Sequence, residues 1–403
     1  MTNKQSSSKL ILLTVLAFFI VYECSMMFAG VDDMAESITA FGTISSFPVL
    51  LLLFSLVYII QAKEKVKNKV YRSYLVVFII TYFLTVFGAL IYSLDSRIVL
   101  VSSILPLCFW LIGDSLNTNY KSVTLSFYLP VCFVVLAAFF LLNFDVKLLL
   151  DKEYAAVNAS YTIVYMLPFL LLNEKRLFRI VAILLAILCT LMSLKRGGML
   201  SLGIGLALYF LVYSKVSSGK LISFRGVFIA IIAVTAITYL VIYFNESMEG
   251  LVFNRFASLE QDEGSGRGDI YKQVQRMISN SSLIGYIFGH GWGGVARDSS
   301  FGLSAHNDFL EIIYDFGFIS FFLYLVFLVR LIARFFKMLK KNHPYAPAFS
   351  ASLGIFLANS LVSHIFIYSW YMLMFTFFWG FVIRETNSIG KNENRTIGIS
   401  FSR

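Results

Sequence analysis

The sequence predicts an all-α, polytopic membrane protein of about twelve transmembrane helices, with one long outer loop carrying short helices. Three observations predict it. Of 403 residues, 58% are hydrophobic and only 14% charged, whereas a soluble domain is roughly one-quarter charged and under one-half apolar. The apolar residues form continuous runs of about 20, enough to cross ~30 Å of hydrocarbon as a helix; an outer-membrane barrel would show a weaker, alternating pattern. Lysines and arginines gather in short connections on alternate sides of these runs, which is a topology signal. The net charge of +10 therefore reports membrane orientation rather than nucleic-acid binding.

In chain order the spans are read at 10–29, 42–61, 72–93, 97–113, 122–142, 159–173, 177–193, 198–214, 224–244, 308–330, 346–363 and 365–384. The first runs from Lys9 to Ala29, too long for the core of a cleaved signal peptide, so it stays attached. The sixth is short, and a very tight turn separates the last two. With the N-terminus inside, only ten of the 33 lysines and arginines fall on the outer side. Both termini are therefore expected in the cytoplasm. The chain divides into helices one to nine (1–244), an outer loop (245–306), and helices ten to twelve with a cytoplasmic tail (307–403). Cys24, Cys108, Cys132 and Cys189 all lie inside apolar runs, with no second Cys or His at ligand spacing. They are expected to be small packing residues; neither a disulfide framework nor a metal site is indicated.

Within the outer loop, Ile270, Val274, Met277 and Ile278 form a narrow apolar stripe opposite Lys272, Gln273, Gln275 and Arg276. This spacing predicts a short surface helix. Gly264, Ser265 and Gly266 break the chain before it, and Asp269 suits its N-terminal dipole. The run "GHGWGG" around His290 superficially resembles a phosphate cradle. No G-x-x-x-x-G-K-[ST] pattern and no preceding strand accompany it, so a tight turn is expected.

The tenth span has an unusual entrance, "SAHNDFLEIIYDFG". Asn307 as an N-cap, with Asp308 and Glu311 in the first turn, is an ordinary way to satisfy orphan amides. That does not account for His306 or Asp315. Asp308, Glu311 and Asp315 share one face, opposite Phe309, Ile312, Ile313 and Phe316, and Asp315 is ~10 Å along the helix. A carboxylate at that depth must face something polar. Two further features collect on the outer side. Lys195 and Arg196 stand in "SLKRGGML", and Arg267 in "SGRGD". Snorkelling or loop cations are the ordinary alternative. A base, several cations and a few acids at one membrane face would also suit a phosphate-bearing lipid headgroup.

These segments resemble the O-antigen ligase and O-antigen polymerase superfamily of bacterial envelope enzymes. The resemblance rests on "AHNDFLEIIYDFGFISFFLYL", similar to that family's His-Asn-x-aromatic-Leu pattern, on "SGRGDIY" some forty residues earlier, and on "SLKRGG"; it covers about 193–325. It implies a metal-independent membrane glycosyltransferase without a cofactor, acting at the periplasmic face of the bacterial inner membrane. Its donor would be an undecaprenyl-diphosphate-linked glycan, and a flippase and a chain-length regulator would be partners beside the lipid bilayer. Carried onto this sequence, His306 would activate the acceptor hydroxyl, and Arg196, Arg267 and Lys195 would supply the diphosphate site. Asn307, Glu311 and Asp315 would support it, although many relatives have Glu where this chain has Asp315. Lys195 stands beside Arg196, so either could be the family's cation at that turn. The implied reaction is polymerisation of O-antigen or capsule repeat units; ligation to lipid A-core is the alternative. A polysaccharide transporter or flippase is the rival from another class. Transporters place charges near the midplane, whereas most spans here lack them, Glu23 in the first being an exception.

Overall fold

The computed structural model describes residues 3–26, 46–62, 69–92, 96–116, 121, 123–150, 159–193, 195–220, 267–366 and 369–389, with isolated positions between 239 and 253. Among these residues the fold is all-α. The helices are α1 (Asn3–Met26), α2 (Ser46–Ala62), α3 (Lys69–Tyr92), α4 (Ser96–Ser115), α5 (Leu129–Leu150), α6 (Ala159–Leu171), α7 (Arg176–Met192) and α8 (Arg196–Ser218). There follow α9 (Arg267–Ser279), α10 (Leu283–Phe288), α11 (Gly294–Asp298), α12 (Asp308–Lys340), α13 (Ala346–Val362) and α14 (Ser369–Ile389). A π-helical turn, Thr124–Tyr128, leads into α5.

The count of twelve spans is not established. Among the described residues three helices are long and apolar enough to cross a membrane: Thr124–Asn143, Arg196–Ser218 and Asp308–Lys340. Four apolar helices are shorter, at Val49–Gln61, Ile104–Ser115, Ser160–Leu171 and Ala346–Val362. The ninth expected span, 224–244, falls almost wholly outside the described residues, as do the first part of the outer loop and its Gly264–Gly266 breaker. The expected 97–113 and 159–173 segments are helices with a proline inside, Pro106 and Pro168.

Two helix pairings form much of the bundle, α4 with α14 and α8 with α13. Lipid supplies no hydrophobic drive between helices, so small residues that let backbones approach do that work. Between α8 and α13 a side chain added at Gly205 would come within 2.5 Å of Ile355, and one at Gly354 within 2.7 Å of Leu208. The two helices run antiparallel. The start of α8 is thereby brought beside the end of α13, where a side chain at Gly197 would lie 3.5 Å from Val362. Glu23, the charged exception in the first span, is buried. Its carboxylate accepts hydrogen bonds from Thr162 and from the Trp370 indole, tying α1 to α6 and α14.

The tenth expected span, α12, differs from its sequence reading. It extends to Lys340 and is broken at Gly317, whose φ of 73° and ψ of 176° are not helical. The backbone of α10 presses against the break: a Cβ on Gly317 would lie 2.2 Å from the Ile287 carbonyl oxygen. Only glycine meets both demands. Residues 308–316 are therefore a short entrance helix, and the long apolar rod begins after it.

Candidate active site

The apolar stripe read from α9 is present. Ile270 and Val274 are buried against Val295, Ala305 and Tyr314, with Met277, Ile278 and Leu310 packed at the edge. This small core fixes α9 over the entrance helix and leaves Arg267 at the α9 N-terminus. Tyr271, one residue past the first buried position, bridges with its hydroxyl to the carbonyl oxygens of His306 and Leu361, 3.2 Å from each.

Asn307 caps α12 as expected, its Oδ1 accepting from the amides of Phe309 (3.0 Å) and Leu310 (3.2 Å). Its Nδ2 reaches across to the Leu361 carbonyl, 3.0 Å away. Asp308 is fully buried and holds the α13–α14 connection, accepting from the amides of Ile365 and Phe366 at 3.0–3.1 Å. The acids of the entrance helix thus have separate duties. Glu311, 2% exposed, accepts the backbone N–H of His306 at 2.9 Å. That bond and the Tyr271 hydroxyl hold His306 at a φ of 52°, a left-handed conformation unusual for a residue with a Cβ.

Asp315 does not join them. Its buried carboxylate accepts from the amides of Gly293 (2.9 Å) and Val295 (2.9 Å), while the Gly291 amide donates to its backbone carbonyl. The polar feature it faces is the protein's own glycine-rich turn. These bonds tie Asp315 to the "GHGWGG" turn, whose amides hold its carboxylate. His290 is likewise engaged in the turn, stacked on Tyr314 with ring centroids 4.1 Å apart. Asp315→Asn offers an NH2 where an acceptor is needed and leaves a buried amide unpaired, at a cost of about 1–3 kcal/mol. The expected result is faster proteolytic cleavage in 281–300 and a loss of activity that tracks the loss of folded protein.

The largest omission in the sequence reading is His364, in the tight turn between α13 and α14. Its ring stacks on that of His306, with centroids 4.6 Å apart and planes 22° from parallel. Its Nδ1 lies 3.3 Å from Ser304 Oγ and 3.8 Å from Glu311 Oε1. The topology contained the signal: if α12 enters at His306 and α13 returns, their connection to α14 lies at the same end of the bundle.

Burial, then His364, Arg267 and Lys195, lower the His306 pKa from 6.5 to about 3. Burial, then Arg267 and Lys195, lower that of His364 to about 3. Lys195 and Arg267 therefore stand within electrostatic reach of both rings. Arg196 is partly buried in the first turn of α8, next to Lys195. Of the expected site residues, His306, Asn307 and Glu311 are joined by direct contacts at the α12 entrance, Arg267 and Lys195 act on the His306 ring, Asp315 binds the glycine-rich turn, and Arg196 begins α8 beside Lys195.

Residues 181–325 match a family model described as O-antigen ligase. No curated protein matches the chain.

Proposed function

We propose that this chain, a member of the O-antigen ligase and polymerase superfamily, polymerises lipid-linked repeat units. They are carried on undecaprenyl diphosphate, and the reaction takes place at the outer face of the cytoplasmic membrane. The observation that carries the reading is the convergence, at one end of the bundle, of the partly buried His306 ring, stacked on His364, with Arg267 and Lys195. The N-termini of α8, α9 and α12 lie there too, and helix N-termini favour anions.

The chemistry follows from those groups. A sugar hydroxyl attacks the anomeric carbon of the donor glycan. Its O–H bond breaks, and the proton passes to a ring nitrogen of His306. The oxygen forms the new glycosidic bond as the bond from carbon to phosphate oxygen breaks, and that electron pair remains on the lipid diphosphate. Arg267, Lys195 and the first amides of α8 hold the developing charge. A single displacement without a covalent enzyme intermediate inverts the anomeric centre.

Donor binding also prepares the base. Arg267 and Lys195 disfavour a proton on His306, and a bound diphosphate offsets their charge, so the affinity of His306 for a proton rises once the donor is in place. A base is active when deprotonated. The acid limb of kcat/KM for the donor, which reports the free enzyme, is therefore expected below pH 5. The acid limb of kcat is expected at higher pH. A kcat/KM limb near pH 6.5 would show that His306 is hydrated in the free enzyme.

The reaction is tested with purified protein in liposomes, given a lipid-linked repeat unit alone or with lipid A-core. Polymerisation predicts longer lipid-linked glycans without lipid A-core. The family description favours ligation as the second reading, and product only on lipid A-core would select it. The face is tested with cysteines at Asn280 and Lys340, both exposed, in a chain lacking its four native cysteines. An impermeant thiol reagent should label position 280 in spheroplasts and position 340 only after lysis; the reverse would invert the topology.

A further inference from the structure

The α13–α14 turn is tied to the entrance of α12 more firmly than packing alone would require. Asp308 holds two of its amides, while Asn307 and Tyr271 both reach the Leu361 carbonyl. Together these bonds deliver one imidazole, that of His364, flat onto His306. Glu311 Oε1 lies between the two, 2.9 Å from the His306 backbone nitrogen and 3.8 Å from His364 Nδ1. His364 also lies beyond the residues that match the family model, 181–325.

We propose that His364 is a positioning residue for His306: held at Nδ1 by Ser304, its ring is the wall that fixes the plane of the His306 imidazole and keeps water from it. This rests on the reading of His306 as the base. A flat neutral ring also suits the moment of proton transfer, because a newly charged imidazolium is attracted to an aromatic face. The charged and titratable groups facing His306 are then Arg267 and Lys195 from the starts of α9 and α8, Glu311 from α12 and His364 from the turn. Removing the wall leaves the first three in place and admits water to the ring. Burial is the largest cause holding His306 unprotonated, so hydration moves its titration up toward the ordinary histidine range.

The test compares His364→Ala, His364→Phe and His364→Gln with His306→Ala in the full-length protein, using a lipid-linked repeat unit as donor. His364→Ala is expected to lower kcat about 10- to 100-fold, the scale of a reacting group displaced by about an ångström, while donor KM stays within about 2-fold. It should also bring an acid limb into the pH 5–7 range of kcat/KM. His364→Phe keeps a flat ring over His306, so it should recover most of kcat and the level pH profile. If the alanine variant does not accumulate, phenylalanine must still exceed glutamine. The proposal is overturned if His364→Ala behaves as wild type, if its loss lies in donor KM, or if phenylalanine is no better than glutamine. Should His364→Ala be neutral and His306→Ala inactive, His306 stands as the base and the wall is rejected. Should both be neutral, the site itself has been misread and the proposal falls with it.

Discussion

His306→Ala is expected to leave the protein folded and inserted while lowering glycan transfer by about 10²–10⁴-fold, the usual contribution of a positioned base. The imidazole is partly buried, and its backbone is held by Glu311 and Tyr271 independently of the ring, so truncation removes the proton acceptor without releasing the turn. Asn307 continues to cap α12 and Asp308 continues to hold the α13–α14 connection. The check is product formation at matched protein level. Near-normal elongation would remove His306 from the chemistry, whatever its effect on stability.

The second large effect is expected at the cations, and it separates two neighbours. Arg267→Ala should cost about 10²-fold or more in kcat/KM, because the charge developing on the leaving diphosphate loses a positioned donor. Arg267→Lys should recover little of it, since a forked guanidinium binds two phosphate oxygens and an ammonium does not. Lys195→Ala should be severe and Arg196→Lys mild, because Lys195 acts on both histidine rings. Arg276→Lys, on the exposed side of α9, serves as the control. Donor binding and product would both be measured. If Arg267→Lys matches the control, the diphosphate assignment is lost; if Arg196→Lys is severe and Lys195→Ala mild, the two neighbours exchange roles.

What could be read from the sequence was local. The stripe at Ile270, Val274, Met277 and Ile278 lies within one helix, so its period alone revealed the buried face. The Asn307 cap follows from a side chain meeting amides two and three residues on. What could not be read was held by contacts across long stretches of chain. Asp315 shows an unpaired acid in sequence, and only the fold brings the Gly293 and Val295 amides to it. Gly317 lies in an apolar run that reads as continuous helix, and it breaks because α10 presses on it from 30 residues away. His364 is 58 residues from His306, and no spacing rule links them, although the order of membrane crossings does. Lys195 and Arg196 are adjacent in sequence, and composition alone does not rank them.

The central claim, that His306 and its cations transfer a glycan away from a lipid diphosphate, is met most directly by stoichiometry. Purified protein in liposomes would be given a donor labelled in both glycan and lipid, and free undecaprenyl diphosphate would be counted against new glycosidic bonds. One released lipid diphosphate per bond, inverted configuration at the new linkage, and neither product with His306→Ala are predicted. Bonds formed without release of lipid diphosphate, or release and bond formation undiminished in His306→Ala, would contradict it.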